Sequence, residues 1–418
     1  MVKILILGGG FGGIRAALDL ENKLTHSRGS GQEDEAHITL IDKNGYHLFL
    51  PALYEVASAY GVKKDPFAVR LKKSICIPYH SIFEGKKLDF IQDEVTKIDL
   101  NAKKVFADAR VFEYDYLLIA LGSQTNDFGI PGVKEYAYQF KSIDDALMVN
   151  KKLEESIKRS SVPYPVKIFV CGGGFTGVEL AAELSCCAKK VAKVNKIKHK
   201  SHTVTLFEAG PKILPMISEE KRQHILRRLT RLGVSVMENS PIEEVGPDFV
   251  KLKNGQNMDG NIIVWTAGIK ANELLKNVAG LSVSVSGKVI TDEFLQVKDS
   301  KNVFAIGDNV EFIDPKTQKP VPAFAYVAND QGKVVAENII RTLQAKKLKS
   351  YCPFYSVWVA PAGGKYAIAH LWNGIHITGF LGWVVRELID LRYMLSILPP
   401  GKALSLMWQE VTLFTKND

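Results

Sequence analysis

The sequence predicts an α/β protein: two Rossmann-like dinucleotide-binding domains, then a C-terminal region suited to a membrane surface. Three observations carry that expectation. Residues 3–20, KILILGGGFGGIRAALDL, are repeated in kind by residues 167–184, KIFVCGGGFTGVELAAEL. Each copy is answered by a second apolar run closed by an acid, HITLIDKN at Asp42 and TVTLFEAG at Glu208. The last stretch, after Cys352, changes character and becomes rich in aromatic and aliphatic residues.

Each repeat reads as strand, glycine turn and Ala-rich helix. Gly8, Gly10 and Gly13 stand at G-x-G-x-x-G spacing, as do Gly172, Gly174 and Gly177. In such a loop the first glycine permits the tight turn and the second admits a pyrophosphate to the backbone N–H groups. The third lets the helix pack on the strand, and the helix N-terminus favours the anion. Glu179 falls in what this spacing makes the first turn of the second helix. Asp42 and Glu208 lie farther downstream than the roughly 20 residues of a minimal unit. Two insertions account for this, a polar loop at 26–36 and a basic stretch, KKVAKVNKIKHK, at 189–200. Runs at 114–123, 262–269 and 302–310 predict further strands, the last ending at Gly307–Asp308.

Composition bounds the function. With 46% hydrophobic and 24% charged residues over 418 positions, the chain is globular and long enough for two or three domains. Its net charge of +9 suits nucleic acid, an anionic membrane face or merely a solvated basic surface. The basic stretch at 189–200 has no interleaved aromatic residues, so no nucleic-acid partner is expected. No apolar leader follows Met1, and the five cysteines make no CxxC or metal-ligand spacing; a reducing cytosolic setting and no metal are expected. Cys171, inside an apolar strand, reads as a small buried hydrophobe.

A carboxylate at Glu208 suits a ribose with free hydroxyls and repels a 2′-phosphate, which favours NADH over NADPH. Asp42 can likewise accept hydrogen bonds from an adenosine ribose. Two dinucleotide sites gain a joint meaning if one holds NADH, a hydride donor, and the other a flavin that accepts the hydride and passes electrons on. The ordered set GGGFGG, YHLFLPALYEVA (46–57), LLIALGSQTNDFGIPG (117–132), GGGFTGVELAAEL, WTAGI and FAIGD resembles the two-dinucleotide flavoprotein superfamily. More narrowly it is similar to the type II NADH dehydrogenases, the single-subunit NADH:quinone oxidoreductases, over almost the whole chain.

That resemblance implies FAD on Gly8, Gly10, Phe11, Gly12, Gly13, Asp42, Lys43, Ala120, Gly122, Gly307 and Asp308. It implies NADH on Gly172, Gly174, Phe175, Thr176, Gly177, Glu208 and Gly268, with Glu179 beside the nicotinamide as the catalytic residue. It also implies a quinone acceptor, reached without proton pumping. The family's A-Q-x-A-x-Q-x-G segment corresponds to AYVANDQG here: Ala325, Ala328 and Gly332 match, Tyr326 and Asp330 replace the glutamines, and Gln331 is displaced by one position. Ala325, Tyr326, Asp330 and Lys365 are therefore the quinone-site candidates.

Residues 376–398 are apolar but broken by Arg386, Glu387, Asp390 and Arg392, which excludes a simple spanning helix. With residues 403–414 they predict an interfacial segment anchored by Trp383 and Tyr393 on the cytoplasmic face of the cell membrane. Packing of this tail on the body, or on a second copy in a homodimer, is the alternative. The expected division is an FAD domain at 1–145 with a return segment at 288–350, an NADH domain at 146–287 and the tail at 351–418. Two other functions stay open, sulfide:quinone oxidoreduction and a non-catalytic redox sensor. No cysteine lies between Asp42 and Lys73, so a thiol relay there is excluded.

Overall fold

The computed structural model describes residues 1–26, 36–60, 67–161 and 163–414; the predicted loop at 26–36 falls, beyond His26 and Ala36, outside them. The principal strands are β1 (Val2–Leu7), β2 (Ala36–Asp42), β3 (Asp89–Gln92), β4 (Tyr116–Ile119), β5 (Tyr138–Gln139), β6 (Val166–Cys171) and β7 (His202–Phe207). They continue with β8 (Val234–Met237), β9 (Ile262–Trp265), β10 (Val303–Ala305), β11 (Trp358–Pro361), β12 (Ala367–His370) and β13 (His376–Gly379). The main helices are α1 (Phe11–His26), α2 (Leu53–Ser58), α3 (Phe67–Ile75), α4 (Ile143–Arg159) and α5 (Phe175–Val194). Then come α6 (Glu219–Leu232), α7 (Ala325–Leu343), α8 (Phe380–Ile397) and α9 (Pro400–Phe414).

The chain forms two compact units. The first comprises residues 1–48, 77–124 and 269–355; the second comprises 49–76, 125–268 and 356–418. The first is built on a five-stranded sheet in the order β10-β4-β1-β2-β3, every pair parallel. Parallel strands need both faces covered, and the sequence supplies this in runs such as Ile4–Leu7 and Leu117–Ile119, all buried. Helix α1 packs closely along α7. A side chain at Gly332 would stand 2.4 Å from the Gly12 carbonyl oxygen, so this crossing requires glycine on α7.

The second unit repeats the scheme with a parallel sheet in the order β5-β9-β6-β7-β8. Its core includes Phe169, Cys171, Phe207, Ile263 and Trp265. Cys171 is fully buried there, and burial pushes its thiol up, away from ionisation. Helix α4 opens on a capping box, Ser142 accepting the Asp145 N–H and Asp145 accepting the Ser142 N–H. The basic stretch at 189–200 is partly the last turn of α5 and partly a turn; Lys189, Lys193, Lys196, Lys198 and Lys200 are exposed. An antiparallel sheet, β11-β12-β13, leads into the helical hairpin α8–α9.

Candidate active site

The two glycine loops have the same backbone wiring. In the first, Gly8 donates its N–H to the Ile41 carbonyl at 2.8 Å; in the second, Gly172 donates to Phe207 at 2.8 Å. Gly8 and Gly172 take φ of +99° and +125°, and a side chain on either would strike the turn after the neighbouring strand, at Ala120 or Ala267. Only glycine meets both demands. Beside Gly10 and Gly174, by contrast, there is open space.

Each loop is tied to its acid. Asp42 accepts the Gly9 N–H at 2.7 Å and the Asn44 N–H at 2.8 Å. Glu208 accepts the Gly173 N–H at 2.8 Å and the Gly210 N–H at 2.6 Å. Burial pushes the Asp42 carboxyl up, although both backbone N–H groups favour its ionised form. In both units the sheet is parallel, so the predicted residues gather at the carboxyl ends of the strands where the strand order reverses, the usual ligand crevice of such sheets. In the first unit these are Gly8, Gly10, Phe11, Gly12, Gly13, Asp42, Lys43, Ala120, Gly122, Gly307 and Asp308. In the second they are Gly172, Gly174, Phe175, Thr176, Gly177, Glu208 and Gly268.

Sequence reasoning missed the side chains that brace the first loop. Tyr79 donates its hydroxyl to the Gly9 carbonyl at 2.8 Å, and His47 reaches the same oxygen through Nδ1 at 3.2 Å. A carbonyl only accepts, so Nδ1 carries the proton; burial lowers the ring to about 4 and keeps it neutral. The edge of one ring of the Phe11–His47 pair meets the face of the other, with centroids 4.8 Å apart. Asn309, fully buried, accepts the Gly122 N–H at 2.9 Å, and Ser123 donates to Asp308 at 2.7 Å. For His47 and Asn309 the signal was a polar residue inside an apolar run, in YHLFLP and FAIGDN; Tyr79 and Ser123 carried none.

Ala325, Tyr326 and Asp330 stand on the first turns of α7, in the first unit. Gln331 accepts the Gly307 N–H at 2.7 Å, and a cleft of about 270 Å³, open solvent included, is lined here by Gly307, Asp308, Phe324, Val327, Ala328 and Gln331 among others. Asp330 pairs with Lys333 at 2.8 Å. The Tyr326 hydroxyl is buried without a hydrogen-bond partner among the described residues, and its ring stacks on Phe324. Lys365 is exposed in the β11–β12 turn of the second unit. That turn is gripped by Glu183, which accepts the Gly364 N–H, and by Arg228, which donates to the carbonyls of Ala362 and Gly363.

Glu179 is the fifth residue of α5, which begins at Phe175, so it lies beyond the first turn where the loop spacing put it. Its surroundings are a charged cluster within the second unit. Arg386 of α8 pairs with Glu55 of α2, with Glu387 at 3.1 Å and with Asp390 at 3.2 Å. Burial pushes the Glu179 carboxyl up to about 8; Arg386 opposes this, while Glu55, Asp390 and Glu183 add to it. At neutral pH burial therefore keeps the Glu179 carboxyl mostly protonated.

Comparison with known proteins agrees with this geometry. The sequence profile of the pyridine nucleotide-disulphide oxidoreductase family matches residues 2–332. A type II NADH:quinone oxidoreductase of Staphylococcus aureus is 30% identical over 411 residues, covering 94% of this chain and 96% of that one. Among solved structures, NDH2 of Plasmodium falciparum, determined in complex with NADH, has a TM-score of 0.81 at 20% identity, covering 100% of this chain and 97% of the other. The sulfide:quinone oxidoreductase of Aquifex aeolicus shares the fold, with a TM-score of 0.76 at 21% identity over 94% of this chain and 91% of the other. With its paired parallel sheets, doubled glycine loops and a relative matched almost end to end, this chain belongs to the type II NADH:quinone oxidoreductases of the pyridine nucleotide-disulphide oxidoreductase family.

Proposed function

We propose that the chain oxidises NADH and passes the two electrons through FAD to a quinone. The observation that carries this reading is the duplicated loop-and-acid geometry, Gly8–Asp42 in one unit and Gly172–Glu208 in the other. The residues fit both nucleotides. Open space beside Gly10 and Gly174 leaves room for a pyrophosphate against the N-termini of α1 and α5. Asp42 and Glu208, each already fixed by two backbone N–H groups, keep further lone pairs for ribose hydroxyls.

Bound FAD supplies hydride acceptance and electron release. The chain's own residues position and polarise. Ser123 orients the Asp308 carboxylate, and Gln331 and Asn309 fix the Gly307 and Gly122 amides around it. His47 and Tyr79 hold the Gly9 carbonyl away from the anion that the neighbouring amides would bind. Glu208 selects NADH by repelling a 2′-phosphate. Glu179, with its raised affinity for a proton, is the catalytic residue of this reading. Ala325, Tyr326, Asp330 and Lys365 remain the proposed acceptor-site residues. Pairing with Lys333 engages Asp330, and the unpartnered Tyr326 hydroxyl is free to donate to an acceptor oxygen.

Attachment to the cytoplasmic membrane face is part of the proposal. No described helix is long and apolar enough to cross a membrane. Helices α8 and α9 instead expose Phe380, Leu381, Leu388, Ile389, Leu404 and Trp408, while Arg386, Asp390 and Glu410 turn inward. Such a face suits shallow insertion between lipid headgroups, and the net charge of +9 favours anionic lipid. The same face suits a homodimer, which light scattering of the lipid-free protein distinguishes. The functional reading is tested by NADH oxidation against a panel of soluble quinone analogues. Steady turnover supports it; nucleotide binding without turnover favours a sensor.

A further inference from the structure

Both glycine loops hold the carbonyl of their middle glycine, by different means. In the first, the Gly9 carbonyl accepts from two side chains, Tyr79 and His47. In the second, the Gly173 carbonyl accepts the backbone N–H of Leu214 at 2.9 Å. A carbonyl and the N–H that follows it share one planar trans peptide and point opposite ways. Holding the Gly173 carbonyl therefore turns the Gly174 N–H to the other side of that plane. Gly174 caps α5, is exposed, and has open space where a side chain would stand. A pyrophosphate at this helix start would meet that amide.

Leu214 is an unusual donor. It is 1% exposed and takes φ of +48°, a conformation that residues with side chains rarely adopt. Such a turn persists only where its neighbours hold it. Glu238, just after β8, does so. One of its carboxyl oxygens accepts both the Ile213 N–H and Arg222 Nη1, each at 2.8 Å. Arg222 of α6 is 7% exposed, and its Nε and Nη2 donate to Glu219, which also pairs with Lys212 at 2.9 Å. Near the start of the same segment, Gly210 accepts the Asn239 N–H at 2.8 Å. Ile213 lies against the glycine loop itself: a side chain on Gly173 would stand 2.7 Å from Ile213 Cγ2. Residues 209–218 are thus fastened to the glycine loop on one side and to the Glu238–Arg222 pair on the other.

We infer that Glu238 and Arg222 are positioning residues for NADH, holding residues 209–218 so that Leu214 keeps the Gly174 amide aimed at the pyrophosphate. The inference rests on the proposed nucleotide site and deepens it. The pair acts through Ile213 and Leu214. Its effect falls on the phosphates, because Glu208, which would meet the ribose, is fixed by Gly173 and Gly210 without Glu238.

The experiment uses the full-length, FAD-loaded enzyme with Glu238→Leu, which removes the acceptor, and Glu238→Gln, which keeps an acceptor oxygen. In Glu238→Leu the KM for NADH is expected to rise about tenfold with kcat within twofold of wild type. Calorimetric titration is expected to show ADP-ribose, which carries the pyrophosphate, weakened to the same extent, and adenosine, which carries no phosphate, within twofold. Glu238→Gln is expected to recover most of the loss. Wild-type affinity for ADP-ribose in Glu238→Leu, or equal weakening of ADP-ribose and adenosine, overturns the inference. If that variant does not fold, Arg222→Met is read in the same titrations with the same outcomes. Failure of NADH to bleach the wild-type flavin counts against the functional reading, while the ADP-ribose titrations still decide this inference.

Discussion

Gly307 donates its backbone N–H to the side-chain oxygen of Gln331 at 2.7 Å, which joins the strand-end turn before Asp308 to the first turns of α7. Gln331 is the displaced glutamine of the AYVANDQG segment, and it is 3% exposed. It is therefore engaged in holding the turn. Replacing it with Leu leaves the half-buried Gly307 N–H without its side-chain acceptor, at a cost of about 1 kcal/mol. Gln331→Leu is expected to release FAD at lower temperature and to weaken FAD retention several-fold, as followed by flavin fluorescence on dilution.

Glu208 predicts the choice of nucleotide. Its carboxylate faces the loop rather than a cation, with both oxygens on backbone N–H groups. The wild type is expected to prefer NADH to NADPH in kcat/KM by tenfold or more. Glu208→Gln removes the repulsion and is expected to narrow that ratio mainly through the KM for NADPH. An unchanged ratio would assign the discrimination to other residues.

The acid cluster predicts how stability depends on pH. Glu179 is raised from 4.5 to about 8 and Glu387 from 4.5 to about 7, in both cases chiefly by burial. A carboxyl whose folded value is raised contributes its full stability below the unfolded value and loses it as pH climbs through the folded one. His47 and His202, both lowered to about 4 by burial, act in the opposite direction but only below about 6.5. Between pH 7 and 8 the acids act alone. With Glu410, also raised by burial, stability is expected to fall there by more than about 1 kcal/mol, and Glu179→Gln is expected to flatten the slope in thermal melts at closely spaced pH values.

The tail predicts membrane behaviour. Leu388 and Trp408 are 59% and 74% exposed. The double change Leu388→Ser and Trp408→Ser removes apolar contact without touching the buried cluster. It is expected to reduce flotation with anionic vesicles at least tenfold while NADH still bleaches the flavin in solution. Equal flotation of both proteins would exclude this face as the attachment surface.

Much of this was legible in the sequence, because strand, glycine turn and helix are local. The G-x-G-x-x-G spacings and the acids at Asp42 and Glu208 located both crevices without any knowledge of packing. Residues whose role depends on distant neighbours were not legible. Tyr79 meets Gly9, and Glu183 meets Gly364, only once the sheets are built. The tail was read as apolar with charges interrupting it, and that hydropathy holds. Sequence could not show that Arg386, Asp390 and Glu410 point inward, because Glu55, the acid that pairs with Arg386, lies on a short helix far earlier in the chain. Glu179 was expected in the first turn of its helix and stands just past it, as the fifth residue after the Gly174 cap.

A chain that takes electrons from NADH and hands them to a quinone must show both half-reactions. The most direct measurement is stopped-flow absorbance of the purified, FAD-loaded protein, mixed first with NADH under anaerobic conditions and then with a soluble quinone analogue. Rapid loss of the yellow flavin band is expected in the first mix and its return in the second, with one quinone reduced per NADH oxidised. A protein that binds no flavin, or a flavin band that NADH leaves unchanged, would contradict it.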